Sequence, residues 1–250
     1  LVSIVIPNKD HVEDLRRCIQ SIVNKSTWTN YEIVVVENNS KEQSIFDYYK
    51  ELEALPQVQV VTYEGEFNYS RINNFGVSKT KGEYLLLLNN DTEVITPDWM
   101  EQLLMYAQRK DVGAAGAKLY YGDDTIQHAG VVIGLGAHRS AGHTHYKMPR
   151  QHLGYMGRLC YAQDVTAVTG ACLMVSRAAY DQVGGLDESF TISLNDVDFC
   201  LKLREAGYLN IFTPFAELYH YESKTRGMEE GEKLRRYERE CAHFRDKWKA

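Results

Sequence analysis

The stretch YLLLLNNDTEV, residues 84–94, decides how this chain is read. One aromatic and four leucines in a row, with no polar alternation, mark a strand buried on both faces, as in a parallel sheet covered by helices. The run ends in Asn89-Asn90-Asp91-Thr92-Glu93. In open α/β sheets ligands bind beyond the carboxyl ends of the strands. Hard divalent cations take oxygen ligands from carboxylates, amides and phosphates. Asp91 and Glu93, two residues apart, are therefore candidate ligands, although a turn ahead of a helix at Pro97 uses the same residue types.

The flanking sequence repeats the pattern. Residues 2–6, 31–36 and 58–62 read as strands, and residues 11–25, 43–55 and 71–79 as helices. Leu15, Cys18, Ile19 and Ile22 give the first helix its apolar stripe. Thr96-Pro97 reads as an N-cap with Pro at the first helical position, opening a helix that runs to Arg109. Further on, residues 112–119, 128–133 and 171–175 read as strands. Residues 134–157, rich in Gly and His and without a period, read as one long loop. Residues 196–206 read as a helix stopped by Gly207, and 208–213 and 216–220 as two short strands. In the charged segment 228–250, Leu234, Tyr237, Cys241, Phe244 and Trp248 form a heptad stripe. Such a helix lies on its own domain, or serves homo-oligomerisation or docking.

Composition narrows the function classes. The chain has 250 residues, 44% hydrophobic and 25% charged, which excludes disorder, collagen and a disulfide miniprotein. With 28 Lys and Arg against 34 Asp and Glu, the net charge is −6. Nucleic acid is an unsuitable partner for such a chain, because that binding rests on phosphate neutralisation. Any anionic ligand needs a local device, a metal or a few basic residues. The five Cys are odd in number and form no CxxC, as expected of reduced thiols in a cytosolic protein. No apolar run approaches the ~18 residues of a membrane span. The chain starts inside a strand, LVSIVI, without Met or signal peptide. The expectation is a domain excised from a longer chain, located in the cytoplasm or held at the inner membrane face by the rest of that chain. Pro7-Asn8-Lys9-Asp10, after the first strand, has no glycine, and GAAGAK at 113–118 lacks the Walker spacing. Both phosphate-cradle motifs are thus missing.

Taken together, VSIVIPN, VVVENNS and YLLLLNNDTEV resemble the nucleotide-sugar-dependent glycosyltransferases of family 2, which have the GT-A fold. TGACLMVSRAAYDQVGGLDESF, NDVDFCLKLREAGY and ELYHYESKTRG resemble that family's acceptor-side segment, acidic helix start and closing His motif. The resemblance runs from residue 1 to about residue 226. It implies an α/β fold, a Rossmann-like, mostly parallel sheet flanked by helices, over residues 1–227, with 228–250 as an added helix. Pro7, Asn8, Glu37 and Asn39 fall where the family holds the nucleoside. Arg71 and Asn74 fall where it contacts the base or diphosphate, and Asn90 also belongs to the nucleotide site. Asn89-Asn90-Asp91 falls on the DxD motif, with Asp91 at the metal-binding acid and Asn89 in place of the first Asp. Glu93 is a compensating ligand, and His220 completes a shell for Mn²⁺ or Mg²⁺.

Asn195-Asp196 falls on the family's acidic pair, with Asp196 the general base and Asn195 in place of the usual Glu. Asp198, two positions on, faces another side of the helix. Gly170, Asp187 and Asn195 belong to the acceptor side, and Lys224 and Arg226 meet the leaving diphosphate. The activity implied is inverting, metal-assisted transfer of a hexosyl group from a UDP- or dTDP-sugar to a hydroxyl of a glycan or glycoprotein acceptor. Two rivals stand beside it. One is a non-catalytic nucleotide-sugar or glycan-binding module, suggested by Asn89 and Asn195. The other is a sugar-nucleotide nucleotidyltransferase, which carries a Gly-rich basic loop where this chain has PNKDH.

Overall fold

A computed structural model describes residues 1–135, 139–221 and 231–249, without the side chain of Lys233. The first half alternates strand and helix: β1 (Val2–Asn8), α1 (Val12–Lys25), β2 (Tyr31–Glu37), α2 (Gln43–Leu52), β3 (Val58–Thr62), α3 (Tyr69–Ser78) and β4 (Tyr84–Leu88). Next come β5 (Thr92–Val94), α4 (Trp99–Ala107), β6 (Val112–Tyr120), β7 (Ile126–His128), β8 (Val131–Ile133) and β9 (Ala141–His143). The chain continues through β10 (Gln163–Val165), β11 (Cys172–Ser176), α5 (Arg177–Gln182), α6 (Asn195–Glu205), β12 (Leu209–His220) and α7 (Glu232–Trp248).

The main sheet runs β10-β12-β6-β11-β4-β1-β2-β3. Strands β4, β1, β2 and β3 are parallel, and so are β6 and β12. Strand β11 enters antiparallel between the two sets, with Cys172 opposite Leu88 and Leu173 opposite Gly116. Continuous apolar strands need cover on both faces, and they have it. Helices α1, α2 and α4 pack on one face, where Leu15, Cys18, Ile19, Ile22 and Trp99 are all buried. Helices α3, α5, α6 and α7 cover the other. Among the described residues no helix is long and apolar enough to cross a membrane, and all five cysteines are unpaired.

Several expected boundaries move, each for a tertiary reason. Helix α4 starts at Trp99, not at Pro97, because Thr96 Oγ1 accepts the Glu217 N–H of β12 (2.9 Å) instead of capping the helix. The strand expected over 128–133 splits into β7 and β8 at Gly130, whose φ is +102°. The expected loop 134–157 contains β9, which pairs with β8, Val131 opposite His143. The two short strands after Gly207 are one strand, β12, with a register shift between Phe212 and Glu217.

The terminal stripe is spent on the chain's own core. Cys241 and Phe244 are fully buried, and Trp248 packs into the second core cluster, while Leu234 stays exposed. An oligomer built on that stripe would lack its apolar centre, so the expected homo-oligomerisation role is not supported.

Helix α3 reaches the sheet because Gly76 has no side chain. A Cβ there would lie 2.4 Å from Val5 Cγ1 and 2.8 Å from Val36 Cγ2. Overpacking a core costs about 1–3 kcal/mol, against about 1 kcal/mol gained in helix propensity by Gly→Ala. Gly76→Ala is therefore expected to destabilise on balance, read as a lower urea midpoint at unchanged m-value. An unchanged or raised midpoint would show that Gly76 does not set the helix-to-sheet distance.

Candidate functional site

The carboxyl ends of β1, β2, β4 and β12 bring together residues far apart in sequence. At β1 and β2, a chain of hydrogen bonds links three turns. Asn90 Nδ2 donates to Asn8 Oδ1 (2.6 Å), Asn8 Nδ2 donates to Tyr49 Oη (2.7 Å), and Tyr49 Oη donates to Glu37 Oε2 (2.5 Å). Burial and the Glu37 carboxylate push the Tyr49 hydroxyl above its usual range, so it stays protonated as donor. Glu37 also accepts from Ser40 N and Ser40 Oγ (2.6 and 2.5 Å). Three of roughly four lone-pair directions of its carboxylate are thus used inside the protein, which leaves one for a ligand hydroxyl. Asn39 is exposed beside it with φ +59°, and its Nδ2 donates to Gly65 O (2.6 Å). Pro7 lies in β1 next to Asn8. Asn38, whose Nδ2 donates to Tyr63 O and Gly65 O, and Tyr49 support this corner.

At β4 and β12 stands the second group. His220 Nδ1 lies 2.7 Å from Gln127 Oε1. A carbonyl oxygen only accepts, so Nδ1 carries the proton and Nε2 presents its lone pair. That lone pair meets Asn89 Nδ2 at 3.1 Å and faces Asp91 Oδ1 at 3.1 Å. Two acceptors facing each other at this distance favour a cation or a proton between them, and a cation taking the Nε2 lone pair would displace the Asn89 amide. The carboxylate oxygen suits Mn²⁺ or Mg²⁺, and an imidazole nitrogen beside it suits Mn²⁺ better than the harder Mg²⁺. Among the described residues no three His, Cys, Asp or Glu side chains cluster for a metal. A cation here would therefore draw its other ligands from substrate and water, as Mg²⁺ habitually does.

Glu93 does not join this pair. Its carboxylate takes Lys25 Nζ (3.0 Å) and Tyr221 Oη (2.8 Å). Burial pushes its carboxyl up, but these two bonds outweigh that and hold it below the usual range. The compensating-ligand expectation is corrected accordingly. Gln127, which sets the His220 tautomer, carries no sequence signal of its own.

The third group is carried by α6. Asp196 Oδ2 accepts the Gly170 N–H (2.8 Å), and Gly170 O accepts from Tyr69 Oη (2.9 Å). A Cβ on Gly170 would lie 2.9 Å from Tyr69 Oη, so a larger residue here would have to push the Tyr69 hydroxyl aside. One residue on, Ala171 O accepts the Asn89 N–H (3.0 Å). Gly170 thereby ties the Asp196 carboxylate to the strand end that carries Asn89 and Asp91. Asp198 is fully buried and accepts from Lys247 Nζ (2.7 Å) and Trp248 Nε1 (2.8 Å). It is out of reach of any substrate.

Other expected site residues are spent on structure. Asn195 is 4% exposed. Its Nδ2 donates to Ile192 O (3.0 Å) and its Oδ1 accepts Asp196 N (2.7 Å), so it does not face an acceptor. The Asn74 amide binds Leu186 O and Glu188 Oε1, and accepts from Tyr180 Oη and Leu186 N. Arg71 pairs with Glu188 at 3.2 Å on the surface. Both residues expected at the base or diphosphate thus engage the 186–188 segment. Asp187 is held by Lys247 (2.7 Å) and Ser189. Lys224 and Arg226 lie outside the described residues.

Behind the site, Thr169 N donates to the fully buried His128 Nε2 (3.4 Å), and His128 Nδ1 meets His143 Nδ1 (2.9 Å). Burial, then the charges of His143 and His220, hold His128 well below 6.5. Its folded-state pKa is depressed, so its neutral form contributes stability above the unfolded pKa of about 6.5, lost as pH falls below it. Between pH 7.0 and 5.5, unfolding free energy is expected to fall with a slope of up to about 1.4 kcal/mol per pH unit from this one group. His128→Gln should flatten that slope in urea titrations. An equal slope in wild type and variant would refute the assignment.

Three comparisons bear on this geometry. Residues 3–184 match the family model described as Glycosyl transferase family 2. The chain is 47% identical over 252 residues to the protein y4gI of Sinorhizobium fredii, covering all of this chain and 28% of that protein. It is 35% identical over 226 residues to the O-antigen biosynthesis protein RfbC of Myxococcus xanthus, covering 90% of this chain and 18% of that one. The chain thus spans less than a third of either relative. Among solved structures it superposes on GalNAc-T7 with UDP, GalNAc and Mn²⁺, at a TM-score of 0.74 and 18% identity, over 99% of this chain and 49% of that one. It also superposes on the mannosyltransferase PcManGT of Pyrobaculum calidifontis with GDP-Man and Mn²⁺, at a TM-score of 0.67 and 14% identity, over 91% and 58%. These structural likenesses show the fold, which is of GT-A type.

Proposed function

The chain belongs to glycosyltransferase family 2, and we propose that it moves a sugar from a UDP- or dTDP-linked donor to a hydroxyl of a glycan or glycoprotein acceptor, with inversion. One observation carries this reading. The facing pair Asp91 Oδ1 and His220 Nε2, 3.1 Å apart, is joined through Asn89 and Ala171 to the Gly170 amide that holds Asp196. A diphosphate-binding device and a carboxylate base therefore share one strand edge. Both solved neighbours hold Mn²⁺ together with UDP or GDP-Man, and the relative RfbC is named for O-antigen biosynthesis.

Each residue then has a role. The Glu37–Tyr49–Asn8–Asn90 chain fixes the floor on which the nucleoside lies, with the free direction of Glu37 and the exposed Asn39 available to its hydroxyls. Asp91 and His220 would hold the divalent cation. When bound, that cation neutralises charge on the departing diphosphate. Asp196 lies in the first turn of α6. It takes the proton of the attacking acceptor hydroxyl while the bond from the anomeric carbon to the diphosphate breaks. The base is fixed before substrate arrives, because Gly170 holds one of its oxygens. The binding-module rival loses one support, since Asn195 caps backbone and does not stand in for an acceptor-facing acid. The five unpaired cysteines support a cytoplasmic setting.

Two measurements test the assignment. Asp196→Asn is expected to keep Mn²⁺-dependent UDP binding and to lose on the order of 10²–10⁴ in turnover. Asp198→Asn is expected to lower the melting temperature instead, because it removes the charge that Lys247 pairs with. Calorimetry of UDP should show tighter binding in Mn²⁺ than in EDTA, with Asp91→Ala abolishing the difference. Screening UDP- and dTDP-sugars for Mn²⁺-dependent hydrolysis identifies the donor. Full turnover by Asp196→Asn, or UDP affinity indifferent to Mn²⁺, would overturn the reading.

A further inference from the structure

Helix α7 lies beyond the residues matched to the family model. Its buried half does something that an apolar stripe does not require. Glu240 is 5% exposed, and among the described residues no basic side chain pairs with it. Its Oε1 accepts the N–H groups of Thr191 (2.9 Å) and Ile192 (3.2 Å), and its Oε2 accepts that of Ser193 (2.8 Å). Three successive amides thus converge on one carboxylate supplied by the protein itself. A buried carboxylate is costly unless hydrogen-bonded, and these amides stand where a counter-ion would.

The loop so held leads directly into the base. Leu194 follows in the left-handed region, φ +63°, and Asn195 and Asp196 open α6. On the far side, α3 grips the same loop. Tyr69 N donates to Thr191 O (2.8 Å) and Ser70 Oγ to Phe190 O (2.9 Å). Further along α7, His243 Nε2 meets Ser189 Oγ (3.0 Å), and Lys247 Nζ meets both Asp187 Oδ2 and Asp198 Oδ1 (2.7 Å each). Positions 240, 243 and 247 share one helix face. That face therefore holds the chain on both sides of Asp196, at 191–193 and at Asp198.

We propose that Glu240 is a positioning residue for sugar transfer: by holding the amides of Thr191, Ile192 and Ser193 it sets the turn at Leu194 and the aim of the Asp196 carboxylate. The catalytic half of this statement rests on the reading of Asp196 as the base; the geometric half does not. Gly170 supplies a reporter. Its N–H is far from Glu240 in sequence and is held by Asp196 Oδ2, so its exchange rate reports where that carboxylate points.

The test uses the whole chain with Glu240→Ala, the isosteric Glu240→Gln, Asp196→Asn and the double variants. Glu240→Ala is expected to raise amide exchange at Gly170 roughly tenfold, together with exchange at 191–193. It should lower kcat for hydrolysis of UDP-N-acetylglucosamine in Mn²⁺ about 10–100-fold at unchanged KM, since small misplacements of a catalytic group have such costs. Glu240→Gln, which keeps one acceptor oxygen and folds more readily, should fall between. In the Asp196→Asn background, Glu240→Ala should cost nothing further. Faster exchange at 191–193 with Gly170 unchanged, or an undiminished loss in the Asp196→Asn background, would overturn the proposal. Full turnover by Asp196→Asn with the Gly170 response intact would instead refute the base assignment and leave the positioning geometry standing.

Discussion

Strand β11 runs antiparallel to β4, and the site depends on that pairing. It sets Cys172 opposite Leu88, so the residues just before β11 lie against the residues just after β4. The Asn89 N–H then meets Ala171 O, and the neighbouring Gly170 N–H is free to hold Asp196. A parallel strand in the same place would deliver its carboxyl end to this edge and carry the segment that precedes it to the opposite one. The antiparallel insertion is therefore what ties the helix-borne Asp196 carboxylate to the strand end that carries Asn89 and Asp91.

The polar residues clustered at the strand ends divide between ligand and protein. Asn38, Asn74 and Asn195 spend their amides on backbone carbonyls and amides of neighbouring loops. Unmade hydrogen bonds on buried backbone cost about 1–3 kcal/mol each, so loops packed this tightly demand such partners. Of the candidate ligand-binding groups, Asn39 is exposed, Asp91 and Asp196 are half-buried, and Glu37 and His220 are buried. Under the proposed function, a chain of net charge −6 would need a cation at the Asp91–His220 pair to hold a diphosphate.

Helix α7 joins this economy from outside the family core. Its apolar residues bury Cys241 and Phe244, while Glu240 and Lys247 reach across to the loop and helix that carry Asp196. Packing and polar contacts on one helix thus act on the same few residues. A segment that reads as an appendage becomes part of the support of the site.

The sequence by itself determined the alternation of strands and helices and the strand ends at which polar residues gather. These follow from side-chain periodicity and turn chemistry, which act over a few neighbouring residues. Tertiary structure alone decided which polar groups stay available. Glu93 is diverted by Lys25, 68 residues away, and His220 is aimed by Gln127, 93 residues away. Glu240 is matched to amides 47–49 residues earlier. Hydrogen-bond partners at such separations are chosen by how strands and helices stack, and no local pattern of residue types records that choice.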